Sequence, residues 1–249
     1  MRFAALLVAA VACAQTHPAI QGYLQKPGFA WQCERDEHFE LCWETSLAGD
    51  RFLAAARESA APAFTGILRF ARAETYAPRI HVFFLASPER MEKLIGYHGE
   101  GRSRPAQHAI FFVPTEIRPD LAHELTHEIL SNLWGPAEAW IEEGMAAHLA
   151  QGRALRSTCI SLSVQRALLP LTPLVSAAWN PTVYSPELTY PQLGDFVDFL
   201  ERRYGLDRVK QVWQGGAESI AAAIGKPLTI LEAEWRADLD RDAAAARGQ

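Results

Sequence analysis

The sequence predicts an α+β protein in which a small, sheet-containing N-terminal lobe precedes a mostly helical lobe. Three observations carry this. Two runs rich in β-formers, Arg79-Ile-His-Val-Phe-Phe-Leu85 and His108-Ala-Ile-Phe-Phe-Val113, lie in the first half of the chain. An alanine-rich stretch of helical period, residues 50–72, precedes them. From Pro119 onward every periodic segment is helical, with proline-rich connections between 170 and 191.

In chain order, residues 1–14 combine a short basic start, an apolar run of about ten residues and an Ala-x-Ala pattern at Ala12 and Ala14. They read as a signal peptide, too short to span a bilayer; lipidation at Cys13 is the less favoured alternative. Residues 15–117 form the expected α+β lobe and 118–249 the helical lobe. Within the first, His38 to Thr45 reads as a strand, and Asp50 to Arg72 as helix with Pro62 and Gly66 as interruptions. The strand at 79–85 is followed by a helix that Ser87-Pro-Glu89 starts and that runs to Ile95. Gly96 to Pro105, with three glycines, is expected to be a mobile loop. The strand at 108–113 delivers the chain into a helix beginning at Pro119-Asp120, where proline suits the first turn and aspartate the macrodipole. Leu121, Leu125 and Ile129 make its buried stripe, and it ends near Ser131-Asn132. Gly135-Pro136 starts the next helix.

Composition narrows the function classes. A formal charge of −5 without a basic cluster argues against nucleic acid as a partner, and no segment after residue 14 is long and apolar enough to cross a membrane. Export makes the cysteines readable: Cys33 and Cys42 are close enough in sequence for a disulfide, which leaves Cys159 unpaired and buried. No CxxC spacing occurs, so a cysteine-rich metal site is not expected.

The chemistry is concentrated in residues 123–127, His-Glu-Leu-Thr-His. On a helix the two histidines stand just over one turn apart and face the same way, so one cation can take both. Glu124 is left beside them as a general base. A third ligand is supplied by the segment Trp140-Ile-Glu-Glu-Gly-Met-Ala146. At about 100° per residue, Ala139, Trp140, Ala146, Ala147 and Ala150 surround Glu143, centring a carboxylate on a face of mostly small apolar groups. A charge there needs a partner, and a metal ion is the one the histidines suggest. Glu142, on the side of Glu138 and Leu149, reads as a solvated surface residue, and His148 lies on another face. A HExxHxxGxxH scheme fails, since Leu130 and Leu133 occupy its glycine and histidine positions, and Asp195 is far along the chain. His123, His127 and Glu143 around one Zn2+ ion, with a fourth position open to water, make a catalytic site rather than a closed structural one.

HELTH followed by Trp-Ile-x-Glu-Gly-Met-Ala resembles the gluzincin metallopeptidases, specifically the bacterial peptidase MA-like domains. The likeness continues through Tyr190-Pro-Gln-Leu-Gly-Asp-Phe-Val-Asp-Phe-Leu200 and Arg203-Tyr204-Gly205 to Leu231-Glu-Ala-Glu-Trp235, and only the two metal motifs in it are specific. The fifteen residues between His127 and Glu143 are fewer than in the thermolysin and aminopeptidase branches, so Asn132–Gly135 must connect tightly. The resemblance implies a zincin-like arrangement with the zinc in the cleft between the lobes, a peptide or protein substrate, and Tyr190 as a second electrophile for the oxyanion, with Tyr184 in reserve. It also suggests that an extended peptide pairs with the 108–113 strand, provided that strand is a sheet edge. Together these readings describe a secreted or periplasmic zinc metallopeptidase. A zinc-binding protein that holds a peptide or polymer without turnover is the alternative.

Overall fold

The structure, a computed structural model, describes residues 17–47, 49–114, 121–181 and 183–247. The signal-peptide segment with Ala12, Cys13 and Ala14, the expected helix start at Pro119-Asp120, and the lobe boundary at 117–118 lie outside the described residues. The protein is α+β and mostly helical, with a five-stranded sheet.

Helix α1 (Pro18–Leu24) leads into strands β1 (Trp31–Arg35) and β2 (Phe39–Glu44), then the long helix α2 (Gly49–Ala71). Strand β3 (Ile80–Phe84), helix α3 (Pro88–Ile95) and strands β4 (Gly101–Arg104) and β5 (Ala109–Phe112) complete the sheet, with one 3-10 turn at Pro105–Gln107 between the last two. The remaining elements are helices: α4 (Ala122–Trp134), α5 (Ala139–Gln151), α6 (Arg153–Val164), the short α7 (Leu171–Leu174), α8 (Pro186–Tyr204), α9 (Leu206–Ile224) and α10 (Leu228–Arg247). Among the described residues no helix is long and apolar enough to cross a membrane.

The sheet runs in the order β1-β2-β3-β5-β4. β2, β3 and β5 are mutually parallel, and the antiparallel strands β1 and β4 form the two edges. Alternation along the strands fills both faces. Phe39, Leu41, Ile80, Val82, Phe84 and Ile110 point to the larger core, shared with α2 and the later helices; Cys42, Phe83, Leu85 and Phe111 point to a smaller one closed by α1 and α3. Cys33 and Cys42 are register partners across β1 and β2 and form a disulfide, while Cys159 is a buried free thiol.

Three expectations need correction. α2 is not interrupted: Phe52, Ala56, Ala60 and Phe64 form a buried four-residue stripe, while Pro62 sits on the exposed side. Its missing N–H therefore costs a bond that water can replace. The segment 96–105 is not simply a loop, since its second half is strand β4. And β5 is not an edge: β3 occupies one side and β4 the other, so no peptide can pair with residues 109–112. Among the described residues, the free edge on that side of the sheet belongs to β4.

Candidate metal centre

α4 carries both histidines. Leu121, Leu125 and Ile129 are fully buried along one stripe, which turns the neighbouring stripe with His123 and His127 toward a pocket. α5 lies against α4 and α8, with Trp140, Ala146 and Ala147 buried, and Glu143 comes from its α4-facing side. The approach is close because Gly144 has no side chain: a Cβ there would stand 3.0 Å from both the Leu193 carbonyl oxygen and Val197 Cγ2 of α8.

The connection from α4 to α5 is only four residues, Gly135 to Glu138, and α9 holds it from outside. Gly135 adopts φ of +89°, which permits the sharp exit. Its carbonyl accepts from Trp213 Nε1 at 2.8 Å. Glu138 accepts from Trp140 Nε1 at 2.7 Å and from the Ala217 amide at 3.0 Å, just past the kink in α9 at Gly216. Glu142, expected to be solvated, is likewise engaged, taking the Ala137 amide at 3.0 Å and the Ser131 hydroxyl at 3.4 Å. Glu142 thus caps backbone that the tight turn leaves unpaired, and Glu138 ties the turn to the amide after the α9 kink.

The three donor atoms converge. His123 Nε2 lies 3.1 Å from Glu143 Oε2 and 3.2 Å from His127 Nε2, and His127 Nε2 lies 3.6 Å from the same carboxylate oxygen. Ligands at the usual zinc distances stand about 3.3–3.6 Å apart when tetrahedral, so these separations match the edges of such a site. Two imidazole nitrogens and a carboxylate also cannot face one another with lone pairs alone; protons or a cation must lie between them. The group could hold a metal ion, and it is the one cluster of that kind among the described residues.

Electrostatics follow the same geometry. Burial pushes the Glu143 carboxyl up, but hydrogen bonds and charge from His123 and His127 outweigh it and hold the group far below the usual carboxylate range. For His127, burial acts to lower the pKa, yet Glu143, with smaller help from Glu124 and Glu142, raises it above the ordinary imidazole value.

A pocket of about 760 Å³ opens beside these donors. Glu124 lines it while only 8 % exposed, its carboxylate lying directly against Gly101 of β4, where any Cβ would collide with it. Tyr190, one turn into α8, also lines the pocket and stacks on the His123 ring at 5.8 Å and 12°. Burial first, then the charge of Glu143, push its hydroxyl far above the ordinary phenol value, so it stays a neutral donor. Tyr184 is not among the lining residues. His148 pairs with Glu201 at 2.9 Å, and Asp195 accepts from Trp235 Nε1 at 2.7 Å and from Arg156 at 3.1 Å, so neither joins the centre.

Tyr97, Arg102 and Ser103 line the pocket from the β4 side and were not anticipated. Burial, with smaller contributions from Glu124 and Glu143, raises the Tyr97 hydroxyl, against an opposing effect of Arg102. The density of glycine in 96–101 was the available signal, since glycine lets a backbone approach other groups closely. Set against known proteins, the chain matches no family model and no curated sequence.

Proposed function

We propose that the protein is an exported zinc metallopeptidase of gluzincin type. The observation that carries the reading is the meeting of His123, His127 and Glu143 at tetrahedral-edge distances beside a pocket that Glu124 also lines. Three converging protein donors among the described residues, rather than four, are the composition of a catalytic site.

Zinc bound there supplies the Lewis acidity that brings the pKa of water toward 7. The rest is the work of the chain. Glu124, its carboxylate taking no hydrogen bond from other described residues, accepts a proton from the water that attacks the scissile carbonyl and hands it to the leaving amine. Tyr190 donates its hydroxyl proton in a hydrogen bond to the developing oxyanion, a role its raised pKa suits. An extended peptide lies along the free edge of β4, not β5, with its backbone paired to Gly101–Arg104. The reading of residues 1–14 as a signal peptide supports export.

The test is a quenched-peptide library assayed with and without chelator, alongside zinc analysis of the purified protein. Glu124→Gln should retain zinc and lose turnover by about 10²–10⁴-fold; an active variant removes the base from the scheme. Tyr190→Phe should also keep its zinc and lower kcat on the order of 10²-fold with little change in KM. Zinc in the wild-type protein without any cleavage would instead describe a zinc-dependent binding protein.

A further inference from the structure

We propose that Glu128, the residue after the second metal-site histidine, is a positioning residue. Its buried carboxylate pins edge strand β4 alongside α4 and thereby sets the width of the substrate groove. The inference rests on reading the pocket as a substrate groove, but the pinning itself does not.

Glu128 is fully buried and does not line the pocket, so anything it does for a substrate passes through other groups. An isolated carboxylate in that position is costly, and a leucine would pack there without the penalty. Donors from four separate places compensate it. Oε1 accepts from the Tyr76 hydroxyl at 2.9 Å and from Asn132 Nδ2 at 3.3 Å, and is paired with His108 Nδ1 at 2.9 Å. Oε2 accepts from the Ser103 hydroxyl of β4 at 3.4 Å. Tyr76 also lies 3.2 Å from His108, which closes the network on itself.

The placement of these donors is what matters. β4 runs in step with α4: Gly101 lies against Glu124, Ser103 bonds Glu128, and the Pro105 carbonyl accepts from Asn132 at 3.1 Å. Two residues of strand advance about 6.7 Å and four of helix about 6 Å, so the two elements stay in register across all three contacts. Glu128 is the middle one. β4 needs such a tie, because Gly-Arg-Ser-Arg has weak strand preference and, among the described residues, pairs on one side only. His108 holds the turn into β5 at φ of +53°, an uncommon conformation for a residue with a side chain, and Glu128 grips its ring. One carboxylate therefore fixes both the strand and the turn that returns from it, and Arg102, Ser103 and Pro105 on that strand and turn form one wall of the groove.

The experiment compares zinc-loaded wild type with Glu128→Leu, Glu128→Gln and Tyr76→Phe by amide hydrogen exchange, zinc content and peptide kinetics. In Glu128→Leu, the amides of 101–104 should exchange on the order of tenfold faster while those of α4 do not. KM should rise on the order of tenfold, with zinc content and kcat held. Glu128→Gln should recover most of both effects, since its amide keeps one acceptor oxygen and can donate to the Ser103 hydroxyl. Tyr76→Phe removes a donor that does not touch β4 and should leave β4 exchange and KM unchanged. Unaltered β4 exchange in Glu128→Leu overturns the proposal, as does loosening that spreads evenly through α4 with loss of zinc. Should Glu128→Leu not fold, Ser103→Ala, which deletes only the strand's own bond, carries the same exchange test with the same two outcomes. A wild-type protein that cleaves nothing would sink the peptidase reading and leave the exchange result to decide the pin.

Discussion

At His127 two opposing effects meet, and their balance decides how the centre competes for protons. Burial disfavours the imidazolium, while the hydrogen bond and charge of Glu143 favour it more strongly, so the pKa ends above the ordinary imidazole value of about 6.5. A metal ligand must be neutral at that nitrogen. Below the raised pKa, each unit of falling pH therefore costs up to about a decade in apparent metal affinity for this one group. The sign is fixed: affinity climbs as pH rises and keeps climbing past 6.5 before it levels. A chelator-competition titration between pH 5.5 and 8.5 (roughly the range where imidazoles titrate) reads this directly, and a curve that is already flat below 6.5 would show that Glu143 does not raise His127. The same pairing explains why Glu143 is ready as a ligand: it is ionised throughout that range, held down by the two histidines.

The helices that deliver these side chains were legible, and the strand facing them was not. α4 and α5 announce themselves by period, because a buried stripe of Leu121, Leu125 and Ile129 fixes the face on which His123 and His127 fall. The Glu-Gly step in α5 was readable as motif, but its cause is packing: Gly144 is where α5 rests on the α8 backbone. β4 left no such trace. Gly101-Arg-Ser-Arg104 becomes a strand through pairing with β5 and through the contacts of Glu124 and Glu128 with it, all of them set by tertiary structure. Glu142 was misread for a related reason, since it takes the Ala137 amide in a turn whose shape the sequence does not state. The Gly144 contact yields a quantitative expectation. Alanine in an open helical position gains up to about 1 kcal/mol over glycine, and Gly66 in α2, with nothing within 4 Å of a built Cβ, should show that gain. At Gly144 the same methyl meets a carbonyl oxygen at 3.0 Å, and overpacking of about 1–3 kcal/mol wins. Gly144→Ala should lower Tm and weaken metal binding, because α5 must move and Glu143 moves with it. Gly66→Ala should raise Tm and leave the metal alone. Equal behaviour of the two variants in thermal melts would mean that α5 and α8 are not in contact as described.

Across the whole molecule, the sheet separates two kinds of stabilisation. Its larger face belongs to a core that runs from Leu41 and Val82 through Phe64 of α2 and Leu125 of α4 to Trp235 of α10, so the sheet and the helices that carry the candidate metal ligands share apolar contacts. Its two edges do different work. β4 borders the pocket, whereas β1 lies at the opposite end of the strand order, with most of its residues exposed, and is held by pairing to β2 and by the Cys33–Cys42 disulfide. Closing so short a loop contributes about 2–3 kcal/mol, chiefly by restricting the unfolded chain. For a protein of this size that corresponds to roughly 5–10 °C in Tm. Reduction should therefore lower Tm by about that amount, while zinc content and peptide turnover, measured well below the transition, stay as they were. Distance through the sheet separates the two: the bond joins β1 to β2, and β3 and β5 stand between it and the strand that lines the pocket. Loss of turnover on reduction, with the fold intact by circular dichroism, would show instead that the disulfide is coupled to the centre through β3 and β5.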